Sequence, residues 1–489
     1  MSETILFPVF FPIIAGFLLL VVKEPKNRKT LCAITGVLLM ITALLAARVI
    51  FGEKEQSVIL LELATGLAVY FKPDAIGRLF AAVVTVVWVC AGFYSFSYMK
   101  KEKKEKRFYG FYLIVFGILL GLDFSGNLIT FYMFYELMTL LSMPLVLHNQ
   151  SREAIMAGLK YLFYSFCGAY LALFGLYFLN HYGNTLTFTP GGVLNMELVP
   201  GNETLLLVVA FLMILGFGVK AGMFPMHGWL PTAHPVAPAP ASAVLSAIIV
   251  KGGVLGMIRV IYYMFGADFI RGTWVQTTWL ILALITVFMG SMLAYREKIL
   301  KKRLAYSTVS QLSYILFGLA LLQPVAMTGA LLHVVFHALI KSTLFLTAGA
   351  IIFQTGRKNV DDLCGIGKEM PVTMWCYTFV SLALIGIPPT SGFISKWYLA
   401  AGSLDSGIAV FNWLGPVVLL VSALLTAGYL LPLTMKGFFP GNDYNRLPKK
   451  EASPWMLVPI GILTFLAVIL GMVPNGLISY LSNIVSELL

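Results

Sequence analysis

Apolar stretches of about 20 residues, the length that an α-helix needs to cross a bilayer, recur with short connectors along the chain. Only 11% of the 489 residues are charged, whereas soluble domains carry about 25%. These two features exclude a water-soluble protein. They predict an all-α polytopic membrane protein in which residues 1–489 form a single transmembrane domain.

The apolar pattern predicts about 14 transmembrane helices. The predicted spans are 5–22, 30–50, 74–98, 108–122, 127–147, 155–181, 204–224, 238–265, 274–294, 304–322, 325–353, 372–401, 413–436 and 453–472. Basic residues cluster in alternate loops, after the first (Lys23, Lys26, Arg28, Lys29), third (Lys100, Lys101, Lys103, Lys104, Lys106, Arg107), ninth (Arg296, Lys298, Lys301, Lys302, Arg303) and thirteenth spans (Lys436, Arg446, Lys449, Lys450). The opposite loops carry few, namely Lys54, Lys72 and Arg271.

The positive-inside rule assigns such basic loops to the cytoplasmic side. We therefore expect a multi-pass protein of the cell membrane with both termini outside. The net charge of +12 then reports topology, and no nucleic-acid partner is expected.

Several ionisable residues remain inside the predicted spans: Glu136, Lys160, Lys220, Lys251, Arg259, Lys341 and Lys396, with His333 and His337 beside them. Each charge near the bilayer centre costs about 2.5 to 3.5 kcal/mol on the mildest scale, so the set predicts a functional site. Milder explanations exist for residues near span ends. Lys160 can extend to the surface, Arg259 can anchor the outer interface, and Asp74 with Arg78 is explained as a local helix pair.

Glu136 and Lys220 are the most suggestive charges. Glu136 lies near the middle of its span, where a carboxylate is protonated or takes a cationic partner, and Lys220 in GFGVKAGMF is the best candidate. A buried amine beside a carboxylate keeps its proton, and the same amine alone releases it more easily. Moving the partner therefore moves a proton. A static pair that ties two helices together is the competing interpretation.

His333, His337 and Lys341 recur every four residues in HVVFHALIK, which places them on one helix face. Such a face can pass protons along its length. Ordinary helix packing by the histidines remains an alternative, whereas a metal site is disfavoured because no acid lies nearby. The five cysteines are scattered and form no C-x-x-C pair. We expect no metal and no cofactor.

Helix-breaking residues flank two of the buried lysines. Lys220 precedes Pro225, Pro231, Pro235, Pro238 and Pro240, and Lys396 follows Pro388, Pro389 and Gly392. Broken helices at matching places in two halves indicate an ion site between inverted repeats. We therefore predict two inverted five-helix repeats, about 108–265 and about 274–436, with broken helices seven and twelve. The flanking helices occupy 1–98 and 453–489.

Five segments carry a family resemblance: FYMFYELMTLLSMPLV around Glu136, GFGVKAGMFPMHGWLPTAHPVAPAPASAVLSAIIVKGG from Gly216 to Gly253, KKRLAYSTVSQLSY, HVVFHALIKSTLFL and GIPPTSGFISKWYL. With these segments the chain resembles the antiporter-like membrane subunits of respiratory complex I, Mrp-type sodium/proton antiporters and energy-converting membrane-bound hydrogenases. It looks closest to the D-type Mrp subunit and its hydrogenase counterparts.

The resemblance implies roles for single residues. Glu136 matches the family's essential glutamate on helix five, and Lys220 matches the lysine on broken helix seven. Lys251 matches the connecting lysine on helix eight, and Lys396 the lysine on broken helix twelve. It implies that the first pair switches while Lys251, the histidine face with Lys341, and Lys396 relay protons.

The same resemblance implies a multisubunit setting. Sibling antiporter-like and small membrane subunits are the expected partners, together with a redox module of the hydrogenase or quinone/NADH type. The chain would translocate protons, or cations against protons, without redox chemistry or a cofactor of its own. A subunit of a non-redox Mrp-type sodium/proton antiporter is the alternative, and a structural subunit with vestigial charges is a third possibility.

Overall fold

The computed structural model describes residues 2–25, 27–52, 56–64, 66–441 and 448–489. Lys26, Lys54 and Arg446, three of the basic residues used to predict the topology, lie outside the described residues. The helices are α1 (Leu6–Val21), α2 (Arg28–Ile50), α3 (Ala75–Tyr98), α4 (Glu105–Asp123), α5 (Leu128–Val146), α6 (Arg152–Tyr182), α7 (Glu203–Ala221), α8 (Leu230–Val236), α9 (Ala239–Phe265), α10 (Ala267–Ile270), α11 (Trp274–Arg296), α12 (Leu300–Ala320), α13 (Pro324–Thr355), α14 (Ile366–Glu369), α15 (Pro371–Ile385), α16 (Ser391–Leu404), α17 (Phe411–Phe438), α18 (Pro454–Met472) and α19 (Asn475–Leu488).

The all-α class is confirmed, because every predicted span coincides with one helix or, for 372–401, with the pair α15 and α16. Within the described ranges, ten helices are long and apolar enough to cross a membrane. Helices α1 and α15 are apolar but shorter. The exact number of 14 spans stays a prediction, as do the two inverted repeats.

The sequence analysis predicted no β-hairpin, and it placed no span over the last helix, α19, which lies in the region 453–489 that it assigned to flanking helices. Strands β1 (Val58–Ala64) and β2 (Leu67–Phe71) form an antiparallel hairpin between α2 and α3. The hairpin contacts the start of α5, where Asn127 Nδ2 donates to Ala68 O at 2.7 Å. Helix α19 is amphipathic, with Leu481, Ile484 and Val485 buried against the bundle.

Contacts between loops show which loops lie at the same end of the bundle. At one end, which we call the basic end, Leu300 N donates to Lys358 O and His148 Nε2 bonds Lys103 O. At the opposite end, Leu128 N donates to Leu186 O and Arg271 Nη1 donates to Leu322 O. The predicted alternation of loops is therefore consistent with the packing.

Both predicted broken helices are present. Helix α7 ends at Ala221, and the chain resumes helix in α8 after an irregular segment at 222–229. Helix α15 ends at Ile385, and five residues separate it from the start of α16 at Ser391. Gly222 (φ 72°) and Gly386 (φ 91°) end the first halves in left-handed conformations that favour glycine.

Helices α9 and α13 form the centre of the bundle. Within the apolar stretch of each helix, every residue of α9 and 94% of the residues of α13 are buried inside the chain. Helix α13 packs against α3, α9, α12, α15, α16, α18 and α19. Charged residues on these two helices are therefore shielded from lipid by other helices of the same chain.

Candidate functional site

Lys220 lies where α7 ends, enclosed by α5 and α6. Its Nζ donates hydrogen bonds to Thr139 Oγ1 at 2.7 Å, to Tyr161 OH at 3.0 Å and to Ser165 Oγ at 3.0 Å. The side chain is fully buried, and the Tyr161 ring centroid lies 4.5 Å from Nζ. Neutral hydroxyls therefore hold this ammonium, and hydroxyls can pass protons because each both donates and accepts.

Glu136 does not form the predicted direct ion pair with Lys220. Among the described residues, no contact within 4.0 Å joins their charged groups. Glu136 Oε1 instead accepts a hydrogen bond from Tyr132 OH at 3.0 Å. The carboxylate is half-buried, on the face of α5 that carries exposed Met133 and Leu137, whereas Lys220 points inside. The two charges still interact through space.

Two further lysines, the buried Lys251 and the half-buried Lys396, donate to backbone carbonyls at helix irregularities. The last carbonyls of a helix have no partner within it, so a cation beside them is stabilised. Lys396 Nζ donates to Leu384 O at 2.6 Å and Ile385 O at 2.9 Å, the final residues of α15. Lys251 Nζ donates to Ala247 O at 2.5 Å, within the π-helical turn Leu245–Ile249 of α9.

A row of polar groups runs from Lys251 towards Lys396. Lys251 Nζ contacts His337 Nδ1 at 3.0 Å, and the His337 and His333 ring centroids are 5.9 Å apart on α13. His333 Nδ1 bonds Ser395 Oγ at 2.9 Å, and Ser395 directly precedes Lys396 on α16. The row thus joins α9, α13 and the broken helix α16.

Lys341 extends the same face of α13 towards the basic end. It lies one turn beyond His337, and its Nζ donates to Ser307 Oγ at 2.6 Å and to Leu304 O at 3.1 Å. Ser307 in turn shares a hydrogen bond of 2.6 Å with Tyr429 OH. Lys341 is fully buried, so this branch is also closed to lipid.

Lys220 and Lys251 are neighbours without a direct link. No hydrogen bond among the residues that the structure describes joins the Lys220 cluster to Lys251. Gly253 brings the two helices together, because a Cβ there would lie 2.5 Å from Phe217 O and 3.0 Å from Lys220 Cβ. A larger residue would force α9 away from α7 at the level of the lysines.

Further ionisable residues lie between the site and the basic end, namely Lys301, His234 and Glu102. Lys301, assigned to a loop by the sequence analysis, lies in α12, is 6% exposed and donates to Ala237 O at 2.5 Å. His234 is fully buried in α8, and neither ring nitrogen has a hydrogen-bond partner. Burial raises the pKa of Glu102 in the neighbouring loop, and the charge of Lys301 partly offsets this.

Arg259 is not the interface anchor that its position near a span end suggested. It is fully buried, and both terminal nitrogens donate to the carboxylate of Asp74, at the start of α3. Asp74 also caps α3 by accepting from Gly77 N at 2.9 Å. Asp123, the last residue of α4, is a second buried acid beside Arg259. Glu136 is therefore not the only acid inside the bundle.

The described residues contain no group of three or more His, Cys, Asp or Glu side chains that could hold a metal ion. The arrangement is instead a set of buried amines and imidazoles connected by hydroxyls. Groups of this kind bind and release protons.

A family model described as NADH:quinone oxidoreductase/Mrp antiporter, TM matches residues 125–426, which is more than half of the chain. The chain belongs to this family. It is accordingly a multi-pass membrane protein, with an architecture of the antiporter-like type.

Three members or neighbours of this family illustrate the range. NADH-quinone oxidoreductase subunit N of Desulforudis audaxviator is 34% identical over 393 residues, covering 78% of this chain and 77% of that protein. The D-type subunit of the Na(+)/H(+) antiporter of Bacillus subtilis is 26% identical over 492 residues, covering 100% and 98%. A chain of the Mrp complex from Dietzia sp. superposes with a TM-score of 0.86 at 21% identity, covering 100% and 97%.

In this antiporter-family chain, sequence reasoning missed five buried acidic or basic side chains, namely Asp123, His148, His234, Lys301 and Glu369. Lys301 stands in a run of basic residues, His234 in a proline-rich segment and Asp123 at the edge of an apolar run. A signal existed for His234 and Lys301, which stand in two of the segments that carry the family resemblance. The burial of Lys301 and Asp123 becomes visible only when the ends of α12 and α4 are found covered by neighbouring elements.

Proposed function

We propose that this chain is the ion-translocating subunit of a multisubunit membrane complex and that it moves protons through its buried amines and imidazoles. The observation that carries the proposal is the row from Lys251 through His337, His333 and Ser395 to Lys396, in which hydrogen bonds join Lys251 to His337 and His333 to Ser395, while the two histidine rings lie 5.9 Å apart. Such a row inside a bilayer is costly. Its cost is understandable if the groups change protonation during turnover.

The way in which the ammoniums are held supports proton exchange. Hydroxyls and carbonyls stabilise a charged ammonium less than a carboxylate does, so either protonation state is accessible. Lys220 has only hydroxyls, and Lys396 has only carbonyls, as hydrogen-bond acceptors in the described contacts. A small change in the position of Glu136 then alters the charge balance at Lys220.

The chemistry favours protons over sodium at this site. A sodium ion needs oxygen ligands, whereas an ammonium has only donors and repels a cation. Hydroxyls and carbonyls near Lys220 and Lys396 are already used by the lysines themselves. Sodium movement, where it occurs in such a complex, would use another subunit or path.

Partner subunits are part of the proposal. Glu136 is half-buried in a span, beside exposed Met133, Leu137 and Leu140 on α5. A carboxylate facing lipid at this depth is unfavourable, so a neighbouring membrane subunit covers this face. The movement of that subunit would displace Glu136 and so couple the driving reaction to Lys220.

Two driving modules fit. Redox partners, of the quinone/NADH or hydrogenase type, are supported by the likeness to an NADH-quinone oxidoreductase subunit. A non-redox sodium/proton antiporter is the second candidate, supported by the full-length match to the Bacillus subtilis antiporter subunit. Purification of the complex with its subunits separates the two, because only the first contains flavin- or cluster-bearing proteins.

The test is proton movement by the purified complex in sealed proteoliposomes. Lys220→Ala is expected to abolish it, since the variant removes the ammonium that Glu136 acts upon. Lys298→Ala is the matched control, because Lys298 is an exposed surface lysine in a loose pair with Asp361 at 3.6 Å. Full movement in Lys220→Ala would refute the role assigned to this chain.

A further inference from the structure

Asp123 is a buried carboxylate that the row from Lys251 to Lys396 does not use. It is 2% exposed at the end of α4, and its Oδ2 has no hydrogen-bond partner. Buried carboxylates are expensive and are normally fully hydrogen-bonded. A buried acid left in this state calls for a functional explanation.

Asp123 and Lys251 line the same small cavity. The cavity measures about 10 Å³, close to the space that a single water occupies. Its other walls are apolar, formed by residues such as Phe80, Val84 and Leu119. Because Lys251 and Asp123 supply the only ionisable groups of this cavity, a water there would join an amine to a carboxylate.

Beyond Asp123 the charged groups continue to the opposite end. Arg259, eight residues after Lys251 on α9, lies about 12 Å further along the helix axis. It interacts with Asp123 through charge and with Asp74 through two hydrogen bonds. Arg259 Nε, like Asp123 Oδ2, is buried without a partner. Two such atoms in one cluster fit a hydrated connection.

The cluster reaches the surface at Asp74. The Asp74 side chain is 26% exposed, while that of Arg259 is 0% exposed. Tyr263 hydrogen-bonds the same carboxylate, and Tyr480 OH of α19 donates to Ala75 O beside it at 3.2 Å. This cluster therefore meets the surface between the start of α3 and helix α19.

We propose that Lys251 exchanges protons with the membrane face at the opposite end through Asp123, with Arg259 and Asp74 forming the outlet. In the outward step the Lys251 ammonium gives its proton to the Asp123 carboxylate, leaving a neutral amine and a carboxylic acid. The acid then releases the proton to water at the outlet, and the carboxylate is restored. This inference rests on the proposed function and adds a second branch to the row that leads to Lys396.

Charge balance alone is the competing role for Asp123. Arg259 already has a bidentate partner in Asp74, which balances its charge without a second acid. An acid that only balances charge needs no change of protonation during turnover. The two roles differ in what a neutral, isosteric side chain does to proton movement.

The experiment compares Asp123→Asn with Asp123→Glu in the reconstituted complex. Asp123→Asn is expected to lower the initial rate of proton movement by at least about tenfold, as loss of a proton-transfer group does, with unchanged subunit content. Asp123→Glu restores the titratable group and most of the rate. Asp268→Asn, at an exposed acid (96%) of the same end, leaves the rate unchanged.

The controls separate this inference from the proposed function. A full rate in Asp123→Asn together with a lost rate in Lys251→Ala overturns the branch and leaves the proposed function standing. A full rate in both variants overturns the proposed function as well.

A second measurement needs no variant and so does not depend on folding. Dicyclohexylcarbodiimide reacts with protonated carboxyls in apolar surroundings, and mass spectrometry locates the adduct. Asp123 is expected to gain the adduct in the working complex. Absence of the adduct at Asp123, when Glu136 is modified in the same sample, contradicts a protonated Asp123 during turnover.

Discussion

Lys251 Nζ and His337 Nδ1 lie 3.0 Å apart, on the two helices that are most completely buried in the chain. At this contact, one proton can be held by either the Lys251 amine or the His337 imidazole. The contact also joins the cavity beside Asp123 to the histidine face of α13. Lys251 is thus the point from which groups lead towards Lys396, towards Lys341 and towards Asp123.

His337→Ala is expected to disconnect Lys251 from His333. A methyl group replaces the ring that lies between them, and the Lys251 hydrogen bond to that ring is lost. Proton movement by the reconstituted complex should fall by at least about tenfold, within the range for loss of an acid–base group. His181→Ala, at an exposed histidine of α6, should retain the parental rate. Equal rates in both variants would show that protons bypass the histidine face.

Lys396→Arg tests whether this cation must lose its proton. A guanidinium can still donate to Leu384 O and Ile385 O, but it stays charged. We expect a complex that assembles and melts like the parent, measured by thermal unfolding in detergent, and that moves protons more slowly, because only the branch through Asp123 remains. Proton movement at the parental rate in Lys396→Arg would mean that Lys396 only caps the broken end of α15.

Gly253→Ala tests the close approach of α9 and α7. The added methyl meets the fixed backbone oxygen Phe217 O at 2.5 Å. Overpacking of this kind costs about 1 to 3 kcal/mol, so the melting temperature should fall. Gly461→Ala is a matched control, because no atom lies within 4 Å of a Cβ at Gly461. A melting temperature equal to that of the control would contradict the described packing.

Glu102→Gln tests the half-buried acid at the basic end. Burial raises the pKa of Glu102 in the folded chain, so its contribution to stability is present at low pH and is lost as pH rises through the raised value. Glutamine has no such loss. The variant should therefore gain stability relative to the parent as pH rises above about 4.3, the ordinary glutamate pKa. Melting curves taken across this range, with exposed Glu153→Gln for comparison, measure the effect. Parallel curves for parent and variant would contradict a raised pKa.

The fold was readable from sequence because a bilayer imposes a simple rule. Apolar runs had to be helices, and Pro388, Pro389 and the prolines after Pro225 had to break them. Lys220, Lys251 and Lys396 were readable for the same reason, since a charge within an apolar run stands out. The hairpin β1–β2 was missed because its apolar residues are too few to span and continue into no helix.

The partners of the charges were less predictable. Glu136 and Thr139, a hydrogen-bond partner of Lys220, both lie on α5. The rotation of that helix turns the Glu136 carboxylate outwards and presents Thr139 to the Lys220 amine. Arg259 was interpreted as an interface residue because the sequence shows only that it lies near the end of a span. Its pairing with Asp74, 185 positions away, depends on how α3 and α9 pack, which no local pattern encodes.

The most direct measurement is the number of protons moved per turnover of the driving reaction in the purified complex carrying Lys251→Ala. Lys251→Ala removes the residue at which the row and its branches meet. The number of protons moved per turnover is predicted to fall below that of the parent, while the driving reaction and the subunit content are unchanged. An unchanged count in this variant would show that protons do not pass through the buried amines of this chain.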